Sequence, residues 1–341
     1  MSNDTSNVSK TLLATASTIV VIAGLKLAES ILVPFLLSIF IALIVSPFMG
    51  WLKKYRVPNI VSIILIIGII FLVSFLWGAL LGSSIADFRE NLPAYQQKLN
   101  GIFAGSMEML SRRGINVDKQ LLLEHFNPGT VMQFVGNTLG SMGTIMTNAF
   151  LILLTVAFIL AEQANFADKL ISARPGSEQT LATLRRFASG VHHYLGIKSI
   201  MSLLTGFLIW IWLLILDIDY PFMWAVLAFA LNYVPTIGSI IAAVPAVLLA
   251  LVQFDLTAAA LTGLGYLVVN TVVGNILEPR WMGKGLNLSP LVVFLSLVFW
   301  GWVLGPVGML LSIPLTMMLK IALESDKQTR WIGLMMGGSA P

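Results

Sequence analysis

The stretch from Ile60 to Gly82 contains no charged side chain and is built mainly of Ile, Leu, Val, Phe and Gly. A run of about 20 apolar residues is the length that crosses the hydrocarbon core of a bilayer as a helix. No water satisfies the backbone there, so a spanning segment must bond its own amides or close into a barrel. Unbroken apolarity without a two-residue alternation points to the helix. Comparable runs occupy Leu12 to Ala28, Ser30 to Gly50, Thr144 to Ala161, Ser199 to Leu216 and Thr257 to Leu277. The chain reads as an all-α, polytopic membrane protein.

Composition removes the alternatives. Charged residues make up 11% and hydrophobic ones 57%, with a mean hydropathy of +0.89, whereas a soluble domain carries about 25% charge. The net charge of +4 is spread over short loops, not gathered into the basic face that nucleic acid requires. There is no cysteine, so neither a disulfide nor a thiolate metal site is available. No phosphate-binding Gly-x-x-x-x-Gly-Lys-Ser/Thr loop occurs. The histidines, His125, His192 and His193, fall outside the expected spans. No cofactor, metal or nucleophile–base pair is expected, and an enzyme ranks below every transport reading. Met1 to Thr11 is polar with one base, Lys10, and the following run is long enough to stay as a span, so no cleavable signal peptide is expected.

Lys and Arg in short loops set the orientation. Lys53, Lys54 and Arg56 place the loop before Ile60 in the cytoplasm, together with the N-terminus. The acids and bases of 83–143 balance, and the segment falls outside. Lys169, Arg174, Arg185, Arg186 and Lys198 outnumber Glu162, Asp168 and Glu178 and return the chain inside. Asp217 and Asp219 mark an outer turn. Arg280 and Lys284, then Lys320, Lys327 and Arg330, mark inner segments and a cytoplasmic C-terminus. The expected organisation is a three-span scaffold (1–82), an extracytoplasmic helical segment (83–143), and a fourth span with a cytoplasmic helical loop (144–198). A transport unit (199–323) and a cytoplasmic tail (324–341) follow. Within 83–143, Pro93 to Met109 and Val117 to Phe126 read as amphipathic helices, and Pro128 to Ala161 as one long helix entering the membrane.

The C-terminal third carries two interruptions. The apolar run Phe222 to Val234 stops at Pro235-Thr236-Ile237-Gly238-Ser239, and Ile240 to Phe254 continues with Pro245 inside. Pro290 to Leu304 stops at Gly305-Pro306-Val307-Gly308, and Met309 to Leu323 continues with Pro314 inside. Each interruption follows a full span, and the two spans run in opposite directions. The pattern is that of an inverted repeat of hairpins, 222–254 and 290–323. Proline removes a backbone donor and glycine permits non-helical angles. Broken backbone at membrane depth is tolerated where protein or a cavity satisfies it, and transporters place solute sites there. Two re-entrant hairpins or four short complete spans fit the loop orientation equally well.

The candidate substrate-binding or gating residues lie around these breaks. Asn232, Tyr233, Pro235, Thr236, Gly238 and Ser239 surround the first. Asn270 and Asn275 sit on the span between, with Glu278, Pro279 and Arg280 at its inner end. Trp300, Gly305, Pro306 and Gly308 belong to the second. Amides, hydroxyls and aromatic faces suit a small, neutral, hydroxylated solute. Against this stand interfacial anchoring for Trp300 and Trp302 and a local helix-capping ion pair for Glu278 and Arg280. Lys26 and Glu29 read as an interfacial pair.

These residues carry a resemblance. Phe229 to Ser239, with its Asn-aromatic-x-Pro-x-Ile-Gly core, resembles a signature of the autoinducer-2 exporter family of bacterial permeases. Gly274 to Gly283 and Phe299 to Pro314 are similar to two more of its signatures, the last closest to the enteric quorum-signal branch. The resemblance implies a bacterial inner-membrane exporter of autoinducer-2, a small polyhydroxylated molecule, and a homo-oligomer, with a pentamer among the forms. It also implies a sodium/proton antiporter as an alternative function. That alternative asks for an acid at depth, with Glu29, Glu162 and Glu278 as candidates and Asp217, Asp219 and Asp255 at outer loops. A non-transporting membrane scaffold is the second alternative.

Overall fold

A computed structural model describes residues 2–112, 149–173, 178–235, 237–282 and 288–338. Among these, every regular element is helical. The helices are α1 (Ser2–Leu27), α2 (Glu29–Lys54), α3 (Asn59–Arg112), α4 (Ala149–Ala173) and α5 (Glu178–Ile215). They continue as α6 (Pro221–Leu231), α7 (Ile237–Gln253), α8 (Leu256–Met282), α9 (Pro290–Leu310), α10 (Ser312–Ser325) and α11 (Arg330–Met335). Five of them, α2, α3, α5, α8 and α9, contain stretches long and apolar enough to cross a membrane. On α3 the large apolar residues face outward, among them Ile60, Ile64, Ile69, Phe71 and Phe75. A helix that is apolar on its exposed faces is stable only in lipid. The chain is an all-α polytopic membrane protein.

α3 departs from the sequence expectation. It runs 54 residues without interruption, about 80 Å, so the segment expected to begin a new helix at Pro93 continues the third span. Gly82-Ser83-Ser84 looks like an exit turn in the sequence. Instead the hydroxyls of Ser83 and Ser84 bond back to the Leu80 carbonyl within the helix. The expected helix at Val117–Phe126 and most of the one expected at Pro128–Ala161 lie outside the described residues.

The chain forms two compact units: Met1–Ile66, Leu151–Tyr194 and Lys284–Pro341 in one, and Ile67–Phe150 with Leu195–Gly283 in the other. In the second, Phe88 of α3 is fully buried against Tyr220 and Trp224. The core extends through Ile209 and Leu213 of α5 to Ala242, Ala246 and Leu249 of α7 and Tyr266 of α8. Small residues on α7 let α6 and α8 approach it closely. In the first unit α9 packs on α1, α2 and α10. Ser38 of α2, also fully buried, donates to the Ile152 carbonyl of α4 at 3.2 Å.

Both expected interruptions are present. α6 and α7 are separated by Asn232 to Thr236, with Thr236 outside the described residues. In α9 the backbone leaves the helical region at Gly305 (φ 64°, ψ −153°). Residues 306–310 then resume helical angles, and a second break at Leu311 precedes α10. The second interruption is therefore longer than Gly305–Gly308. Proline disfavours a helical conformation in the residue before it but suits the start of a helix. Pro306 thus breaks the chain at Gly305 and opens a new turn.

Candidate functional site

In the second unit the site is organised by a polar stripe on α5. Lys198, Ser202 and Thr205 share one helix face and are all buried, with Ser199 beside them. The Asn232 amide donates to the Ser202 hydroxyl at 2.9 Å. The Tyr233 hydroxyl donates to the Ser199 hydroxyl at 2.8 Å. The loop that replaces helix between α6 and α7 is thus tied to α5 by the two side chains that precede the break. Asn232 and Tyr233 act as anchors of the loop.

Glu278 meets the same stripe. Lys198 Nζ donates to both of its carboxylate oxygens, at 2.7 and 2.8 Å. The side chains are 6% and 14% exposed. The local Glu278–Arg280 pair, the alternative to a functional role in the sequence, does not form: Arg280 is exposed, and the counter-charge comes from a residue 80 positions earlier. In the sequence Lys198 marks only the end of a cytoplasmic loop. Its spacing to Ser202 and Thr205 is the signal that would have placed it on the inner face of a span.

α8 brings Glu278 there by an unusual route. Its middle, Asn270–Leu277, is π-helical. In a regular α-helix the ring of Pro279 would meet the carbonyl of residue 275. The wider π turn ahead of it relieves that clash and changes which face the following residues present. Asn270 opens this segment. Asn275, Pro279 and Arg280 are exposed and are not gathered with the stripe.

Between α7 and α8 lies a cleft of about 380 Å³. Ser239 and Asn270 contribute its polar edges. Ala243, Val247, Gly263 and Tyr266 are among its walls. The sequence singles out Ser239 and Asn270 but not Tyr266, because a tyrosine inside an apolar span reads as packing.

At the first break the α-carbon of Gly238 sits on the end of α6: a Cβ there would overlap the carbonyl oxygen of Leu231. In the first unit the same relation recurs. A Cβ on Gly308 would overlap the carbonyl oxygen of Trp300. The Trp300 indole donates to the Thr316 hydroxyl at 3.0 Å and ties the two arms of the second hairpin. Trp302 is 60% exposed. Gly305 faces the Glu29 carboxylate, which is paired with Lys26 at 2.8 Å, the pair expected from sequence. Among the described residues no three His, Asp or Glu side chains converge as metal ligands.

Comparison with known proteins places this architecture. The model of the AI-2E family transporter matches residues 16–327. The chain is 40% identical over 318 residues to the AI-2 transport protein TqsA of Escherichia coli K12, covering 93% of this chain and 92% of that protein. It is 42% identical over 337 residues to a putative transport protein of Haemophilus influenzae, covering 97% of each. It is 36% identical over 330 residues to the putative transport protein YhhT of Escherichia coli K12, covering 97% and 95%. These relatives bear the names of transport proteins, which fits a broken-helix membrane fold and points away from an enzyme. With the family model spanning both hairpins and the π-helical segment, the chain belongs to the AI-2E transporter family.

Proposed function

We propose that this transporter exports autoinducer-2, or a similar small polyhydroxylated solute, across the bacterial inner membrane by alternating access. The observation that carries the reading is the matched pair of breaks. Each hairpin turns on a glycine pressed against a carbonyl at or near the end of the preceding helix, Gly238 on Leu231 and Gly308 on Trp300. Three of the four arms are short: α6, α7 and α10 contain 11, 17 and 14 residues, about 16, 25 and 21 Å, against a hydrocarbon core of about 30 Å; the fourth, α9, has 21 residues but is interrupted at Gly305. Re-entrant hairpins in an inverted repeat account for these lengths better than complete spans. Pro235, Gly238, Gly305, Pro306 and Gly308 act as hinges. Asn232, Tyr233 and Glu278 hold the first hairpin and α8 to α5. The name of the E. coli relative supports the solute. Loop charge supports cytoplasmic termini. Family resemblance supports a homo-oligomer, with a pentamer as the form to test by mass measurement in detergent.

Uptake of labelled autoinducer-2 into everted vesicles, with and without a proton gradient, tests the reading. Uptake above empty vesicles that is lost in Pro235→Ala/Pro306→Ala supports it. Absence of uptake by folded protein overturns the solute assignment.

One observation favours a second reading, sodium/proton antiport: Glu278 is an acid held deep in the fold by Lys198. Sodium-dependent proton movement that disappears in Glu278→Gln would put this reading first. Among the described residues no feature favours the non-transporting scaffold.

A further inference from the structure

The short helix α11 turns its apolar side away from the protein. Gly333 is buried against α10, where a Cβ would come 2.6 Å from the Glu324 side chain and 3.2 Å from the Lys320 carbonyl oxygen. Trp331, Leu334 and Met335 lie on the other side, at the i, i+3, i+4 spacing of one helix face. All three are exposed, Trp331 by 66% and Met335 by 76%. Such a face is costly in water and stable at the boundary between headgroups and acyl chains, where tryptophan is enriched. Lys327 and Arg330 flank it, both exposed and without an ion pair among the described residues. Lys320 balances Glu324 at 3.7 Å, and Asp326 accepts from the Gln328 amide at 2.7 Å, which leaves the bases in excess.

The same helix holds both roots of the second hairpin. The Met336 carbonyl accepts from the Ser289 amide at 3.0 Å, just before α9, and the Gly333 contact fixes the end of α10. A second rim of like composition stands at this end of the unit. Gly305 faces Glu29 at the start of α2, and α9 packs on α2, so the far end of α2 lies on the side of the hairpin roots. There Trp51 and Tyr55 stack edge-on at 4.9 Å, exposed among the exposed Lys53, Lys54 and Arg56.

We propose that α11 lies in the cytoplasmic interface of the membrane and recruits anionic lipid headgroups through Lys327 and Arg330, tying the roots of the second hairpin to that surface. Charge complementarity selects this occupant. Anionic lipids give the cytoplasmic leaflet a negative potential that attracts basic residues at the membrane surface. A second copy meeting α11 across a two-fold axis would bring its own bases against these and repel. The apolar face supplies insertion, and the bases supply the choice of headgroup. The proposal goes beyond the transport reading and holds whatever solute is carried.

The chain has no cysteine, so Met335→Cys supplies a single thiol for a bimane label. The full-length protein is reconstituted into phosphatidylcholine vesicles. These contain phosphatidylglycerol spin-labelled near the headgroup or, at the same mole fraction, phosphatidylcholine labelled in the same way. The expected result is that both lipids quench the bimane, phosphatidylglycerol several-fold more efficiently at low mole fraction. Lys327→Gln/Arg330→Gln should lower quenching by phosphatidylglycerol to the phosphatidylcholine level, and high salt should weaken the preference in the unsubstituted protein. Both replaced side chains are exposed, so this variant keeps the fold. If Met335→Cys fails to fold, Trp331→Cys carries the label in its place. Absent quenching by either lipid overturns the proposal. If the emission then shifts on dilution in detergent, a second copy covers the face instead. Equal quenching by the two lipids, or a preference that survives the double substitution, overturns the recruitment of anionic headgroups by these bases.

Discussion

Gly238 rests against the carbonyl oxygen of Leu231 so closely that no methyl group fits between them. Gly308 stands in the same relation to Trp300 in the other hairpin. Gly238→Ala and Gly308→Ala must each displace backbone, which costs about 1–3 kcal/mol or more. Gly24, with open space around its α-carbon, is the control: Gly24→Ala removes a poor helix former and should be neutral or slightly stabilising. Thermal unfolding in detergent measures all three. Equal melting temperatures for Gly238→Ala and Gly24→Ala would refute the close approach.

Lys198 and Glu278 are each buried only because the other is present. Lys198→Met leaves a lone carboxylate and should destabilise by about 3–5 kcal/mol. Removing both charges together, Lys198→Met with Glu278→Leu, should restore most of that loss, because the desolvation penalty disappears with the pair. Yield of folded monodisperse protein is the readout. A double variant as unstable as the single one would show that the pair does not act as a unit.

The loop ties differ in cost. Tyr233→Phe removes one hydrogen bond to Ser199 and should cost about 0.5–1.5 kcal/mol. Asn232→Leu strands the buried Ser202 hydroxyl and should cost about 1–3 kcal/mol. A double-mutant cycle of Asn232→Leu with Ser202→Ala should show coupling of at least about 0.5 kcal/mol. Additive effects would mean that the two side chains do not meet.

Gly305 has a left-handed φ of 64°, and a Cβ there would come 2.9 Å from the Glu29 carboxylate. Gly305→Ala should cost about 1–3 kcal/mol from backbone strain, because φ 64° with ψ −153° is a region occupied essentially by glycine alone. Gly305→Asn should cost as much from that source, since asparagine's tolerance is for the left-handed helical region at positive ψ. Both are checked by melting temperature in a Glu29→Ala background, which removes the carboxylate contact and leaves the strain; a clearly milder loss for asparagine would refute the assigned backbone angles.

Four of the six expected spans, those now in α2, α3, α5 and α8, and the two breaks were legible because they are local; the described apolar parts of α1 and α4, Thr15–Leu27 and Ala149–Gln163, are shorter than a full crossing. Apolar length reports a crossing, and Pro beside Gly reports a lost helix, whatever surrounds them. Lys26–Glu29 was legible for the same reason, being one helical turn apart. The continuity of α3 was not, since Ser83, Ser84 and Pro93 are as compatible with an exit loop as with a helix that carries them. The partner of Glu278 could not be read either. Local spacing offered Arg280, whereas folding supplied Lys198 from another helix.

By itself the sequence determined a multi-span helical protein with interruptions at Pro235 and Pro306, because bilayer thickness and backbone chemistry act residue by residue. Only the tertiary structure decided that Asn232 and Tyr233 are anchors and that Asn270 opens a π-helical segment. It alone showed that Tyr266, indistinguishable from packing in the sequence, buries a hydroxyl that has no partner among the described residues. Those assignments depend on which groups meet across helices, and a low-dielectric interior makes each such meeting, or its absence, count.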